Sequence, residues 1–193
     1  MAELKLPVGK EPIRELTVGD YLELSGLMIT GRDAAHKWLV EGFRKEVAPF
    51  LDGTVIYHCG PVVRRNDDGS HDFVAAGPTT SIREEPYQAE VIGRYGLRGC
   101  IGKGGMGPKT LAGLGEHGAV YLHAIGGAAQ VLARCVKRVD RVFMLEEFGV
   151  PEALWVIDVE RFPVMVTMDS HGGSLHDEVE KQSKRRLAEL IGV

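Results

Sequence analysis

Gly99-Cys100-Ile101, running into Gly102-Lys103-Gly104-Gly105-Met106-Gly107-Pro108-Lys109-Thr110, is the stretch on which the fold turns. A short apolar run passes into a glycine-rich turn and then into Leu111-Ala112-Gly113-Leu114, the order of a strand, a tight turn and a helix. Such a turn exposes backbone N–H groups at the positive end of a helix dipole, and this one holds a lysine, so it predicts an anion site. Two nucleotide readings fail on neighbouring residues. Gly102-x-Gly104-x-x-Gly107 matches the dinucleotide fingerprint, yet about 20 positions on, where the ribose needs a carboxylate, the chain reads His123-Ala124-Ile125-Gly126. A P-loop would need glycine in place of Pro108, ahead of Lys109-Thr110.

The same unit recurs on either side. Residues 21–30 read as a strand bent at Gly26, and Gly31-Arg32-Asp33 opens a helix carried by Ala35, Trp38, Leu39, Phe43 and Val47 as far as Pro49. Residues 54–59 form a buried strand, 64–69 a solvated hairpin-like loop and 72–76 another strand; 77–85 then cap and start a helix. A helix over 108–117, a strand over 119–124 and a helix behind Gly126-Gly127 follow. From Arg141 the pattern changes to three closely spaced apolar runs, 141–146, 154–160 and 164–169, a partly antiparallel β-rich region before a charged amphipathic helix over 178–191. With no repeat, low-complexity tract or linker, the expectation is an α/β fold with a mixed sheet and a C-terminal helix, one domain over 1–193.

The totals leave the binding chemistry local. A chain of 193 residues, 44% hydrophobic, is long enough for one real core, and a net charge of -4 gives no global attraction to nucleic acid or an anionic membrane. No apolar run approaches the roughly 20 residues of a membrane span, and the start lacks a signal peptide's apolar region, so a cytoplasmic protein is expected. Cys59, Cys100 and Cys135 are far apart, form no C-x-x-C pair and lie in apolar runs, which reads as small buried side chains and no metal site on this chain alone. The ligand-rich segment 169–177 reads as a polar loop leading into a helix.

Three glycine-containing turns carry cations: Arg32 after Gly31, Arg83 after Gly77-Pro78-Thr79-Thr80-Ser81-Ile82, and Lys103 after Gly102. If their strands share a sheet, the turns gather at one rim, where open α/β sheets bind ligands. Two guanidinium forks and an ammonium suit a small dicarboxylate better than a long polyanion.

Taken together, Gly31-Arg32-Asp33-Ala34-Ala35-His36, Tyr57-His58-Cys59-Gly60-Pro61, Gly77-Pro78-Thr79-Thr80-Ser81-Ile82-Arg83, Gly102-Lys103-Gly104-Gly105-Met106 and Glu147-Phe148-Gly149-Val150-Pro151-Glu152-Ala153 resemble the β subunit, or C-terminal domain, of iron–sulfur-dependent class I fumarate hydratase and L-tartrate dehydratase. The resemblance implies a swivelling β/β/α domain forming one wall of an active site whose [4Fe–4S] cluster sits on a separate α subunit, in an assembly of paired α–β units. It implies that Arg32, Arg83 and Lys103 bind substrate carboxylates, with Gly104 beside them, and that Thr79 lies at the reacting carbon. Thr79 reads equally as a helix N-cap. Asp33 reads as a helix-start carboxylate, His36 as either orienting Arg32 or packed, and the 147–153 motif as structural. The implied activity is reversible hydration of fumarate to L-malate; tartrate dehydration and a non-catalytic small-anion module are the alternatives.

Overall fold

The computed structural model describes residues 2–192. In chain order the elements are β1 (Ala2–Leu6), α1 (Lys10–Arg14), β2 (Tyr21–Thr30), α2 (Asp33–Val40), β3 (Val55–Tyr57), β4 (Val62–Arg65), β5 (His71–Ala75), α3 (Gln88–Tyr95), β6 (Gly99–Gly102), α4 (Pro108–His117), β7 (Val120–His123), α5 (Ala129–Cys135), β8 (Val136–Phe143), α6 (Leu145–Phe148), β9 (Leu154–Met168) and α7 (Leu175–Ile191). Short 3-10 turns lie at Ala48–Phe50 and Ser81–Glu84.

The fold is mixed α/β. β2, β3, β6 and β7 pair in parallel in that order; β9 pairs antiparallel with β7 and again with β2, which closes these strands into a five-stranded barrel. β1 extends the sheet from β2 and β8 extends it from β9, while β4 and β5 form a separate hairpin. Strand periodicity sorts the core to two faces. Val55, Tyr57, Ile101, Val120 and Leu122 join Trp155 and Phe162 in one buried cluster, whereas Ile56, Cys100 and Tyr121 join Leu39 of α2, Val91 and Ile92 of α3 and Leu114 of α4 in the other.

Four expectations are corrected. The helix from Gly31 ends at Val40 instead of reaching Pro49, because its last carbonyls are taken by side chains: Arg44 donates to Trp38 O at 3.1 and 2.9 Å, and Tyr95 Oη to Leu39 O at 3.1 Å. Residues 77–85 form an extended segment and a 3-10 turn, with the α-helix starting only at Gln88, beyond Pro86. The two runs 154–160 and 164–169 are one strand, β9, whose solvent-side residues Glu160 and Arg161 interrupt the apolar pattern without ending the pairing with β2. Finally, the C-terminal helix expected over 178–191 begins earlier, α7 starting at Leu175, where Ser174 Oγ accepts from Asp177 N at 3.3 Å. In the segment 169–177, Asp169 accepts from the backbone of Val18, His171 and Gly173, so it serves as a loop clasp.

Candidate functional site

Parallel pairing puts the C-terminal ends of β2, β3, β6 and β7 on one rim, and the segments after them carry Arg32, His58, Lys103 and Gly126. The Thr79 segment does not follow a barrel strand, yet it returns to this rim from the hairpin and is stitched between β3 and β6. Thr79 N donates to His58 O at 2.6 Å, Lys103 N to Thr79 O at 3.2 Å and Ser81 N to Lys103 O at 3.0 Å. Gly102 is required here: a Cβ on it would overlap Ser81 Oγ and lie 3.2 Å from His58 Nδ1. Thr79 and Lys103 are therefore backbone neighbours. Gly104, exposed at φ +83°, turns the chain beside Thr80. The Lys103 stem runs along Gly126, where an added Cβ would sit 3.3 Å from Cδ, and Lys103 forms no salt bridge among the described residues.

The two arginines are already matched. Arg83 grips Asp33 through Nε to Oδ1 at 3.1 Å and Nη2 to Oδ2 at 2.9 Å, so Asp33, although first in α2, is spent on a cation and not on the helix start. Arg32 Nη1 lies 3.3 Å from Glu152 Oε1, passing over Gly60, where a Cβ would come within 2.6 Å of it. The other Glu152 oxygen accepts from Ala34 N at 3.1 Å, so a glutamate from the 147–153 motif caps α2. That motif was expected to be structural; it reaches the rim.

The glycine-rich turn is corrected too. The N–H groups that open α4 already hold an anion, the Glu85 carboxylate: Oε2 accepts from Gly107 N at 2.8 Å and Thr110 Oγ1 at 2.6 Å, and Oε1 from Lys109 N at 2.9 Å and Thr110 N at 3.2 Å. Gly107 leaves room for it, since a Cβ would stand 2.6 Å from Glu85 Oε1. The N-terminus of α4 is thus filled from within the chain. Thr79 is no N-cap either; Thr80 precedes the 3-10 turn, and no side-chain capping bond forms there.

Behind the rim lies a buried polar chain that sequence reasoning missed. His36 Nδ1 is 2.9 Å from Arg32 O, which only accepts, so Nδ1 bears the proton and Nε2 is bare. Gln88 Oε1 lies 2.9 Å from that Nε2 and 2.7 Å from His58 Nε2. With neutral rings the network closes when the amide is turned, its NH2 group donating once to each imidazole. His58 Nδ1–H then donates to Ser81 Oγ at 2.8 Å, which also accepts from Tyr121 Oη at 3.0 Å. Burial, with His36 alongside, pushes His58 down to about 3, and burial lowers His36 as well, so both are neutral at physiological pH. His36 therefore holds the backbone that carries Arg32. Next to this chain Glu84 is fully buried and neither oxygen has a hydrogen-bond partner; burial, with Asp33 nearby, raises its carboxyl to about 8.

The closed mixed sheet, with Arg32 and Lys103 just past the C-terminal ends of parallel strands, defines a mixed α/β barrel class. Comparison with known proteins narrows the class. The model of the Fumarase C-terminus family matches residues 2–179, and the chain belongs to that family. It is 52% identical over 187 residues to a putative class I fumarate hydratase of Geobacillus stearothermophilus, covering 97% of this chain and 36% of the relative, so it spans about a third of that protein's length. It is 43% identical over 187 residues to a putative L(+)-tartrate dehydratase subunit beta of Methanocaldococcus jannaschii, covering 95% of each chain. It is 37% identical over 189 residues to the L(+)-tartrate dehydratase subunit beta of Escherichia coli K12, covering 97% of this chain and 92% of the relative.

Proposed function

We propose that this chain acts as the β subunit of a class I fumarate hydratase, and that Arg32, Arg83 and Lys103 hold the two carboxylates of fumarate or L-malate with Thr79 at the reacting carbon. The observation that carries this reading is the convergence of the three cations and Thr79 on one barrel rim, with Thr79 and Lys103 joined through their backbones. Reversible hydration of a dicarboxylate needs its carboxylates neutralised as negative charge builds, a proton transferred at carbon, and a Lewis acid on the hydroxyl.

The [4Fe–4S] cluster implied by the resemblance is assigned to the α subunit, because the donors of this chain do not fit one. Cys59 and Cys100 pack in opposite core clusters, burial pushes their thiols up, Cys59 to about 12, and no group of three metal-ligating side chains lies together among the described residues. What this chain contributes is orientation. Arg83 presents a planar fork, Arg32 is fixed by His36 and Glu152, and Lys103 is the cation without a carboxylate partner, the first to meet a dianion. The Thr79 hydroxyl makes no protein hydrogen bond among the described residues and is free to face the substrate. No helix of the described residues is long and apolar enough to cross a membrane.

The test is reconstitution. The chain alone is expected to be inactive; with the cluster-bearing α subunit added anaerobically, fumarate and L-malate should interconvert, and full activity of the chain alone in metal-free buffer refutes the proposal. Lys103→Ala in the assembled enzyme should lower kcat/KM at least tenfold, and a change within about twofold removes Lys103 from the site. Tartrate is the second reading, favoured by the two relatives matched over nearly their whole length that bear that name. Relative turnover of fumarate and L-tartrate by the same assembly decides between them.

A further inference from the structure

Glu84 is the one carboxyl near the rim that no described group satisfies. It lies in the 3-10 turn between Arg83, which holds Asp33, and Glu85, which holds α4. Its side chain is fully buried, and both oxygens lack hydrogen-bond partners, as does Arg32 Nε nearby. The charged and titratable groups acting on it are Arg32 and Asp33 from the start of α2 and Arg83 from its own turn, and it acts in turn on Cys100 of β6 and Tyr121 of β7. Those last two are neutral, since burial raises both. The local balance is therefore set by few charges. Arg32 is paired with Glu152 and Arg83 with Asp33, so these four charges balance and an ionised Glu84 would add an uncompensated negative charge beside the two guanidinium groups.

We propose that Glu84 is a positioning residue that carries the proton setting the charge of this cation cluster, so that a dicarboxylate dianion binds together with one proton on Glu84. The inference rests on the substrate site proposed above. A buried carboxyl without partners is costly to ionise. A dianion placed on the neighbouring guanidinium groups takes away the positive potential that favours ionisation, and so strengthens the hold on the proton. By reciprocity the proton strengthens the hold on the dianion.

The sign follows. Glu84 titrates near 8 in the free chain, so at pH 7 it is already protonated and at pH 9 a proton must be taken up on binding. Affinity for a dianion should therefore fall about tenfold between pH 7 and pH 9. The experiment is an NMR titration of the full chain with L-malate at constant ionic strength, on the wild type and on Glu84→Gln, which keeps the neutral shape of the protonated acid. The expected result is a roughly tenfold weakening in the wild type and a flat profile in Glu84→Gln. A calorimetric titration of the wild type in buffers of different ionisation enthalpy needs no variant; it should show uptake near zero at pH 7 and of about one proton at pH 9. Binding that is pH-independent, that falls equally in both proteins, or that proceeds without proton uptake at pH 9 overturns the role of Glu84 and leaves the site standing. Failure of both proteins to bind L-malate at any pH overturns the site itself, and the linkage with it.

Discussion

Replacing Glu85 by alanine should unseat the glycine-rich turn. The carboxylate accepts three backbone N–H groups and one hydroxyl at the start of α4, all within 3.2 Å. It is half-buried, and the freed N–H groups can be re-solvated, so each bond is worth about 0.5–1 kcal/mol net. Losing a charge from a helix N-terminus adds roughly 0.5 kcal/mol. The expected loss is about 2.5–4.5 kcal/mol, read by urea unfolding. The variant also bares an anion site that the wild type fills from its own chain, so sulfate at constant ionic strength should stabilise Glu85→Ala and leave the wild type unmoved. Glu85→Gln should lose at least half as much, because its NH2 group faces backbone donors. A loss below about 1 kcal/mol in Glu85→Ala, or equal sulfate responses in the two proteins, would refute the reasoning that this helix end is internally satisfied.

Other expectations follow from the same contacts. Gly102→Ala should cost about 2–4 kcal/mol or prevent folding, since its Cβ overlaps Ser81 Oγ, and adding Ser81→Ala should restore part of the loss by removing that atom; no rescue contradicts the stated clash. Glu152→Ala should cost about 1–2 kcal/mol, from an N-cap bond and a partly exposed ion pair, in chemical unfolding. The neutral pair His36 and His58 binds fewer protons folded than unfolded. The stabilisation is complete above the unfolded value near 6.5, and the part carried by His58 is lost as pH falls toward 3, so His58 should contribute about 2 kcal/mol less at pH 5 than at pH 7.5, read as the difference in unfolding free energy between the wild type and His58→Gln at the two pH values. Glu84 has the opposite sign, contributing stability that is fully present below its unfolded value near 4.5 and is lost as pH rises from there through about 8, so Glu84→Gln should lessen the fall across that window.

The strand–turn–helix grammar around Gly31, Gly102 and Gly126 was legible because glycine and apolar periodicity are local signals, and α4 falls on its predicted bounds, Pro108–His117. The α/β class and the family followed from motifs in register. Barrel closure was not legible: it depends on β9 bending past Glu160 and Arg161 to pair with both β2 and β7, and no local pattern specifies two partners for one strand. The site divides in the same way. Arg32, Arg83, Lys103 and Thr79 sit beside their glycines in sequence, whereas their partners do not. Glu152 reaches Ala34 across 118 residues and Gln88 reaches His36 across 52, and a lone glutamate or glutamine carries no mark of so distant a contact. Of the anion chemistry predicted for the turn at Gly102, the helix-end part is supplied by Glu85, which fills the N–H groups that open α4.

The double pairing of β9 sets an order of opening. β1 and β8 are the outer strands of the sheet and can detach while the ring of β2, β3, β6, β7 and β9 stays shut. β2 and β9 are hydrogen-bonded to each other on both sides of the irregularity at Leu24 to Gly26, so neither can peel away without rupturing the ring. Amide exchange should therefore proceed in tiers, with β1 and β8 losing protection first and β2 and β9 only in global unfolding. Arg32, which follows β2, is mounted on the slowest tier.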